Sequence, residues 1–362
     1  MSTSLSSYVS LGRSGLRVSP FTLGTMTFGE DHGWGASAEE SNAILTAYLE
    51  RGGNSIDTAN IYTNGHSEKI IGDYFARRPE LRDRVVIGTK FFANLYENDP
   101  NGGGPGRKAI VQQLENSLRR LQTDYVDLYW LHNFDPATPV EETLRTLDDL
   151  VRDGKIRYVG FSDVPAWATA EAATIARFRG WAPITALQLE HSLLERTAEG
   201  ELLPMAEAMG MGVLAWSPLK GGFLSGKYSR ATTGRVDTRR AHLVGEPSQS
   251  DYVVIDALND VAREIGATSA ATALAWVQSR TPITSTLLGA RRLDQFEANL
   301  AALDVTFTDA QRTALDAVSA PILNFPAENN RTLARMLQFA GATVDGTPSI
   351  VSPLLQASPT RY

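Results

Sequence analysis

Short apolar runs alternate with longer amphipathic segments along most of the chain. The amphipathic segments repeat apolar residues at helical spacing, as at Ile110, Leu114 and Leu118, which is the pattern of a helix with one buried face. The apolar runs between them are typical of buried β-strands. The predicted strands are Phe21–Gly24, Ser55–Asp57, Val85–Thr89, Val126–Leu131, Tyr158–Phe161, Ala186–Leu189, Val213–Trp216 and Ser285–Leu287.

A β-hairpin is predicted before these strands, because Tyr8–Leu11 and Leu16–Val18 flank a glycine-containing turn. The first helix is predicted to begin at Ser37, since Ser37 and Glu40 have the spacing of a capping box. The predicted helices are Ser37–Arg51, Ser67–Ala76, Lys108–Leu121, Val140–Asp153, Trp167–Phe178, Leu203–Met209, Asp251–Ile265, Leu293–Leu303 and, after the last strand, Asp309–Val318.

The alternation of strands and helices predicts parallel strands with helical crossovers. Eight such units predict an α/β fold, the (β/α)8 TIM barrel. The alternative is an open doubly wound sheet, which would need a G-x-G-x-x-G turn after its first strand, and residues 23–29 lack that spacing. We expect one domain over residues 1–362, with a long connection at 221–250 and with 306–362 as a C-terminal extension packing on the barrel.

Composition narrows the range of functions. The 362 residues include no cysteine, which excludes disulfides, cysteine-ligated metals and thiol catalysis. The net charge of −7 argues against nucleic acids or anionic membranes as partners. The serine-rich N-terminus lacks the basic and apolar regions of a signal peptide, and no apolar run approaches a membrane span. We therefore expect a cytoplasmic protein, and the sequence carries no signal for its oligomeric state.

Four ionisable residues lie at the ends of adjacent predicted strands. Asp57 ends the second strand and Tyr62 follows it, while Lys90 and His132 follow the third and fourth strands. The C-terminal strand ends of such a barrel form one site, so we expect these side chains to converge. Lys90 would lower the pKa of Tyr62, Asp57 would keep Lys90 charged, and a neutral His132 would donate a hydrogen bond. Each residue alone has an ordinary structural explanation; the set together favours a functional cluster that acts on a carbonyl group.

Two other stretches resemble binding motifs and are set aside. Residues 101–108 are rich in glycine but lack the Gly-Lys-Ser/Thr ending of a phosphate-binding loop, so we interpret them as a mobile loop bordering the substrate mouth. They overlap residues 97–107, a stretch rich in glycine, proline and asparagine that is predicted to be loop. Asp31, His32 and Glu39 lack the spacing of a metal site, and no metal is predicted.

Three segments resemble the signatures of the aldo-keto reductases. They are residues 53–62 (GNSIDTANIY), residues 127–132 (DLYWLH) and residues 154–162 (GKIRYVGFS), within a similarity that runs from the hairpin to about Asp304. The resemblance implies a (β/α)8 barrel, a catalytic tetrad of Asp57, Tyr62, Lys90 and His132, and NADPH as the hydride donor. It also implies that Tyr62 is the acid–base residue.

The resemblance also implies a cofactor site. Ser162, Asp163 and Gln188 match the group that holds the nicotinamide carboxamide, and Trp216 matches the aromatic residue that stacks on the ring. Residues 217–222 resemble the loop across the pyrophosphate, and Arg291 before a helix suits the 2′-phosphate of NADPH. The residues expected to bind the cofactor are Thr25, Ser162, Asp163, Gln188, Trp216, Ser217, Leu219, Gly221, Gly289, Arg291, Gln295 and Asn299.

The sequence departs from the family pattern at three positions. Asp163 replaces a frequent Asn and cannot donate to the carboxamide oxygen. His191 replaces a frequent Tyr, which we expect to reshape the pocket edge, and Ala298 replaces a frequent Glu that contacts adenine. Phe28 and Trp34 are candidates for the pocket wall, as are Phe92 and the C-terminal tail.

The expected activity is the reversible reduction of an aldehyde or ketone to an alcohol, with a small-molecule carbonyl or alcohol as the partner. A first alternative is a nucleotide-binding regulatory protein with slow turnover, since potassium-channel β-subunits resemble the same family. A second is an unrelated barrel hydrolase or isomerase, which would need paired carboxylates or a metal site at the strand ends. Asp57 is the one carboxylate well placed there.

Overall fold

Eight parallel strands close into a barrel at the centre of the protein. A computed structural model describes residues 4–230, 245–357 and 360, so residues 231–244 of the predicted connection 221–250 lie outside the described residues. The barrel strands are β3 (Phe21–Gly24), β4 (Ser55–Asp57), β5 (Val86–Phe91), β6 (Val126–Leu131), β7 (Ile156–Ser162), β8 (Ile184–Glu190), β9 (Gly212–Trp216) and β10 (Ile283–Leu288).

The strands follow one another around the barrel in chain order, and β10 closes it by pairing with both β9 and β3. This is a (β/α)8 TIM barrel, as predicted. Lys90 proves to be the last residue but one of its strand, because β5 continues to Phe91. The hairpin is also confirmed, with β1 (Val9–Ser10) pairing antiparallel to β2 (Arg17–Val18).

Helices surround the barrel, and the predicted ones are present with small shifts at their ends. The helices up to α11, of which α3 and α9 were not predicted, are α1 (Ala38–Glu50), α2 (His66–Ala76), α3 (Pro79–Arg82), α4 (Arg107–Leu121), α5 (Val140–Arg152), α6 (Ala166–Arg179), α7 (Leu202–Met209), α8 (Gln249–Ile265), α9 (Ser269–Gln278), α10 (Leu293–Leu300) and α11 (Asp309–Val318).

Two helical details differ from the prediction. Helix α9 was missed because it is apolar on nearly all sides and most of it is buried, so no amphipathic period marks it. At α1, the Ser37 hydroxyl accepts from Glu40 N as a cap should. The carboxylate of Glu40 bonds instead to Leu293 N at the start of α10, so the predicted capping box is only half formed and its second half joins two helices.

The interior of the barrel and the layer under the helices form separate apolar clusters. Inside the barrel, Trp130 packs with Leu128, Leu214 and with Leu11 from the hairpin. The hairpin is fixed further by the bond from Arg13 N to Gly210 O (2.8 Å). The barrel interior is therefore filled by side chains rather than open, which confines a ligand site to the ends of the strands.

The chain after β10 adds short elements to the outside. Leu315 of α11 is fully buried, and Asp316 accepts hydrogen bonds from Trp276 and Arg280, so α11 is anchored beside α9. None of the described helices is long and apolar enough to cross a membrane. The remaining elements are α12 (Ala327–Asn329), a π-helical turn (Asn330–Ala334), α13 (Arg335–Phe339), β11 (Thr343–Val344), β12 (Thr347–Pro348) and α14 (Pro353–Gln356).

Candidate active site

The Lys90 ammonium lies at the centre of a group of polar side chains at the barrel mouth. Its Nζ donates to Asp57 Oδ2, to the Tyr62 hydroxyl (2.9 Å) and to Thr58 O (2.9 Å). Lys90 and Asp57 are almost fully buried, whereas Tyr62 is partly exposed. The phenol therefore joins a buried ion pair to the solvent side of the site.

The barrel register brings these residues together. Strand β5 pairs with β4 on one side and with β6 on the other, so Asp57 and Lys90 lie on neighbouring strands. Tyr62 begins a short 3₁₀ turn whose next residue, Thr63, has left-handed backbone (φ 46°). The Thr63 hydroxyl donates to Phe28 O (2.8 Å), which ties the turn to the loop after β3.

The ionisation of Tyr62 differs from the sequence expectation. Burial raises the pKa of the Tyr62 hydroxyl, and the Lys90 ammonium counteracts this only in part. Burial lowers the pKa of Lys90, but Asp57 and Tyr62 raise it by more, so the net shift is upward and the ammonium keeps its charge. Lys90 lowers the pKa of Tyr62, as expected, but the net shift is upward because desolvation outweighs the nearby charge.

His132 faces the same phenol. Its ring centroid is 6.1 Å from that of Tyr62, at an interplanar angle of 79°. Burial lowers the pKa of His132 to about 3, and the positive charge of Lys90 acts in the same direction. The imidazole is therefore neutral at physiological pH, and one ring nitrogen carries a proton that can be donated.

Two residues expected at the cofactor form hydrogen bonds with Asp57. The Gln188 amide nitrogen donates to Asp57 Oδ1 (2.8 Å), and the Thr25 hydroxyl donates to the main-chain oxygen of Asp57 (3.0 Å). Thr25 is fully buried and also accepts from the Ser67 hydroxyl (2.9 Å). Both therefore hold Asp57 in place.

Asp163 and Trp216 form one unit at the mouth. Asp163 follows β7 with left-handed backbone (φ 55°), a conformation that Asp and Asn adopt more readily than most residues. Its Oδ1 accepts from the Trp216 indole nitrogen (3.0 Å), and its Oδ2 accepts from the Ser162 hydroxyl (3.3 Å). The carboxylate fixes the plane of an indole ring that is partly exposed.

The loop after β9 presents main chain to the mouth. Ser217, Lys220 and Gly221 all have positive φ, and Ser217 Oγ accepts from Gly221 N (3.2 Å). A Cβ at Gly222 (φ 109°) would meet no atom within 4 Å, so it would project into open space. Bare main chain of this kind suits close approach by a pyrophosphate, so the loop and the Trp216 ring fit a dinucleotide. Leu219, also expected at the cofactor, is partly buried against the core.

The predicted phosphate site differs in one respect from the expectation. The N–H of Leu293 at the start of α10 is already bonded to the Glu40 carboxylate (2.5 Å). Arg291, however, forms no ion pair with a residue that the structure describes. Its main-chain N–H donates to the Gln295 side chain (3.3 Å). Phosphate binding would therefore depend on the Arg291 guanidinium more than on the helix end.

The remaining expected residues lie near this helix or away from the mouth. Gly289 is exposed and Asn299 partly buried, while Ala298 is exposed. His191 is fully buried, with Nε2 3.0 Å from Glu199 and its ring stacked on Trp276 at 5.6 Å. It packs toward α9, so the expectation that it shapes the pocket edge is wrong.

One buried polar residue near the site was missed. Gln113 of α4 is almost fully buried, and its side chain bonds to Asn60, Phe92 and Gly102. The sequence does contain a signal, because Gln113 lies between Ile110 and Ser117 on the inward face of the helix. A polar residue in that register needs buried partners.

Comparison with known proteins agrees with this architecture. The profile of the Aldo/keto reductase family matches residues 20–320. The uncharacterized oxidoreductase YrpG of Bacillus subtilis (strain 168) is 37% identical over 83% of this chain and 91% of its own length. The putative aryl-alcohol dehydrogenase AAD14 of Saccharomyces cerevisiae is 33% identical over 86% of each chain. A putative voltage-gated potassium channel subunit beta of Schizosaccharomyces pombe is 35% identical over 87% of this chain and 92% of its own. With this extent of similarity, the chain belongs to the aldo/keto reductase family.

Proposed function

We propose that this protein is an NADPH-dependent oxidoreductase that reversibly reduces an aldehyde or ketone to an alcohol, with Tyr62 as the general acid. The observation that carries the proposal is the contact between Lys90 Nζ and the Tyr62 hydroxyl (2.9 Å) beside a neutral His132. The Tyr62 hydroxyl can donate a proton and the neutral His132 can donate a hydrogen bond. Together they can stabilise a substrate oxygen that gains negative charge during the reaction.

The reaction follows from these groups. A nicotinamide cofactor, when bound, would supply the hydride that the carbonyl carbon accepts. Tyr62 gives its hydroxyl proton to the carbonyl oxygen, and the Lys90 ammonium at 2.9 Å stabilises the phenolate that remains. His132 donates a hydrogen bond that orients the same oxygen. Because the pKa of Tyr62 is raised, the phenol is protonated at neutral pH and ready to act as an acid; solvent restores its proton afterwards.

The cofactor would be held along one side of the mouth. The Trp216 ring, fixed by Asp163, offers a flat face for the nicotinamide. The main chain of 217–222 suits the pyrophosphate, and the Arg291 guanidinium, which forms no ion pair with a described residue, suits a 2′-phosphate. That last feature supports NADPH over NADH. Asp57 already uses the Gln188 amide nitrogen, so Ser162 and Asp163 are left as the main contacts for the carboxamide.

Aromatic carbonyl compounds are the substrates to test first. Phe92, two residues after Lys90, is partly buried, and Trp34 lies in the loop after β3 with little exposure. Phe28, also expected at the wall, is fully buried and belongs to the core. The relative named as an aryl-alcohol dehydrogenase supports the same choice.

The test is NADPH oxidation by the wild type and by Tyr62→Phe with benzaldehydes, ketones and keto-sugars. We expect turnover by the wild type, a loss of about 100- to 10,000-fold in kcat for Tyr62→Phe, and unchanged NADPH binding. The control is Tyr96→Phe, since Tyr96 is exposed and its hydroxyl bonds only to Asn116 among the described residues. Full activity in Tyr62→Phe would refute the assignment of the acid.

A second candidate function is a nucleotide-binding regulatory subunit with slow turnover. The 35% identity to a protein named as a potassium channel β subunit favours it. Tight NADPH binding without turnover on the whole panel would favour this candidate over the reductase.

We further infer that residues 1–362 form one domain in which 306–362 is an extension on the barrel. Support comes from Asp316 of α11, which accepts hydrogen bonds from Trp276 and Arg280 beside the barrel. Limited proteolysis that releases 306–362 without loss of cooperative unfolding would contradict this.

A further inference from the structure

The side chain of Gln113 has one definite orientation, because two main-chain groups fix it. Its Oε1 lies 2.9 Å from Phe92 N, which can only donate, and its Nε2 lies 3.0 Å from Gly102 O, which can only accept. A flipped amide would place donor against donor and acceptor against acceptor. The same Oε1 is 2.8 Å from the Asn60 side chain, so the Asn60 amide nitrogen must face it.

These bonds join three segments around the candidate site. Asn60 lies two residues before Tyr62, and its Nδ2 also donates to Ala93 O (2.8 Å). Phe92 lies two residues after Lys90. Gly102 belongs to the glycine-rich loop predicted at 97–107, which forms turns and bends up to the start of α4 at Arg107. Gln113 on α4 is therefore the common partner of the tyrosine segment, the lysine strand and the loop.

The hydrogen bonds around Gln113 hold Phe92 in a backbone conformation that is energetically unfavourable by itself. Phe92 has φ 121°, a value rare for a bulky residue. Its carbonyl accepts from Gly104 N (2.8 Å), so the loop lies directly against it. A Cβ at Gly103 would come within 2.9 Å of Phe92 O and 2.7 Å of the Asn94 side chain, which explains a glycine in this close contact.

The far end of the loop is also held. The Thr143 hydroxyl donates to Pro105 O (2.8 Å), and Arg107 N donates to Glu142 Oε1 (2.8 Å). The loop is thus bonded to α5 near Arg107 and to Gln113 at Gly102, in its middle. The bond at Gly102 and the one from Gly104 N to Phe92 O link the loop to the candidate active site.

We propose that Gln113 is a positioning residue for the reaction: it holds the Tyr62 segment, the Phe92 wall and the glycine-rich loop in one arrangement without touching the substrate. The proposal rests on the function proposed above. Since Oε1 accepts from both Asn60 and Phe92, loss of this one atom would release both sides of the substrate pocket together. Loss of Nε2 would free the loop at Gly102.

The experiment compares Gln113→Met with Gln112→Met. Methionine has a similar length to glutamine but forms no comparable hydrogen bonds, and Gln112 is the exposed neighbour on the same helix. For wild type, both variants and Tyr62→Phe, we would measure kcat and KM with a benzaldehyde, the NADPH dissociation constant by fluorescence, and the thermal midpoint. Limited trypsin digestion at Arg107 and Lys108, where the loop joins α4, reports loop attachment without any turnover.

For Gln113→Met we expect kcat to fall about 10- to 100-fold, since misplacement of a catalytic group by about 1 Å has effects of this size. KM should rise and cleavage at Arg107 should be faster. NADPH affinity should stay within about twofold, because none of the residues that contact Gln113 is among the expected cofactor residues. A purely structural defect would instead lower the thermal midpoint and leave kcat intact. Gln112→Met should match the wild type throughout.

Gln113→Glu provides the conservative variant and covers the case in which Gln113→Met does not fold. Its carboxyl group keeps an acceptor for Asn60 and Phe92 in either protonation state, so kcat should recover to within a few-fold of wild type. A folded Gln113→Glu with a kcat as low as that of Gln113→Met would overturn the proposal. Equal kinetics and equal cleavage rates for Gln113→Met and Gln112→Met, with Tyr62→Phe inactive, would also overturn the proposal. Activity retained in Tyr62→Phe would instead refute the proposed function.

Discussion

The partly buried, neutral imidazole of His132 predicts a stability that depends on pH. Its pKa falls from the ordinary 6.5 to about 3 in the folded protein, mainly through burial. Between these values the unfolded chain binds a proton that the folded chain does not. Stability from this residue is therefore present above pH 6.5 and is lost as the pH falls toward 3. Over the whole interval the loss amounts to about 5 kcal/mol, at about 1.4 kcal/mol per pH unit.

A narrower interval gives a firmer number. At pH 5 the His132 imidazole is still unprotonated in the folded protein. In the unfolded chain its pKa lies about 1.5 units above the pH, so protonation of the unfolded chain lowers the free energy of unfolding by about 2 kcal/mol. His132→Gln removes the titrating group but keeps a side-chain amide that donates. The wild type should therefore lose about 2 kcal/mol more than His132→Gln between pH 7 and pH 5.

Urea unfolding followed by circular dichroism at pH 7, 6 and 5 measures this difference. The other ionisable groups are common to both proteins, so their contributions cancel in the comparison. Parallel pH dependence in the two proteins would refute the reasoning. It would mean that His132 takes up a proton in the folded state, and a charged imidazole beside Lys90 would then have to replace the neutral donor in the mechanism.

Three further predictions concern the cofactor and the acid. The kcat of carbonyl reduction should be constant from about pH 6 to 9, because the pKa of Tyr62 is raised above its ordinary 10 and that of His132 is far below; a midpoint near pH 7 would contradict both assignments. Asp163→Asn should bind NADPH about fivefold tighter, by one added hydrogen bond of about 1 kcal/mol, since the amide can still accept from Trp216 and can also donate; weaker binding in a fluorescence titration would contradict this. Arg291→Ala should weaken NADPH about 10- to 100-fold, the value of a charged hydrogen bond, and NADH much less; equal losses would show that Arg291 does not contact the 2′-phosphate.

The fold was predictable because its signals are local and repeated. Each barrel strand is a compact apolar run beside an amphipathic helix, and β3, β4 and β6 have the predicted bounds. Helix α9 escaped because it is buried on nearly all sides. The capping box predicted at Ser37 is only half formed for a different reason: the Glu40 side chain bonds to Leu293, on a helix that is distant in sequence.

The candidate site was predictable as a set of residues but less so in its electrostatics. Strand order brought Asp57 and Lys90 to adjacent strand ends, as in any barrel of this type. The direction of the pKa shift of Tyr62 depends on whether the effect of burial exceeds the effect of the Lys90 charge. The degree of burial of one side chain cannot be predicted that finely from the sequence. Gln113 was missed because its importance comes from three contacts that only the folded chain brings together. The catalytic and cofactor roles themselves stay predictions.

The left-handed backbone at Asp163 restricts which residues natural variation can place there. With φ 55°, asparagine, aspartate and glycine are tolerated, while β-branched residues would strain the main chain. Exchange between Asn and Asp is therefore the smallest change that this position permits, and it alters charge while leaving the shape of the turn intact. The main chain at Asp163 therefore restricts substitutions to a few residues, and we expect each of them to change the hydrogen bonds of the site while leaving the barrel intact.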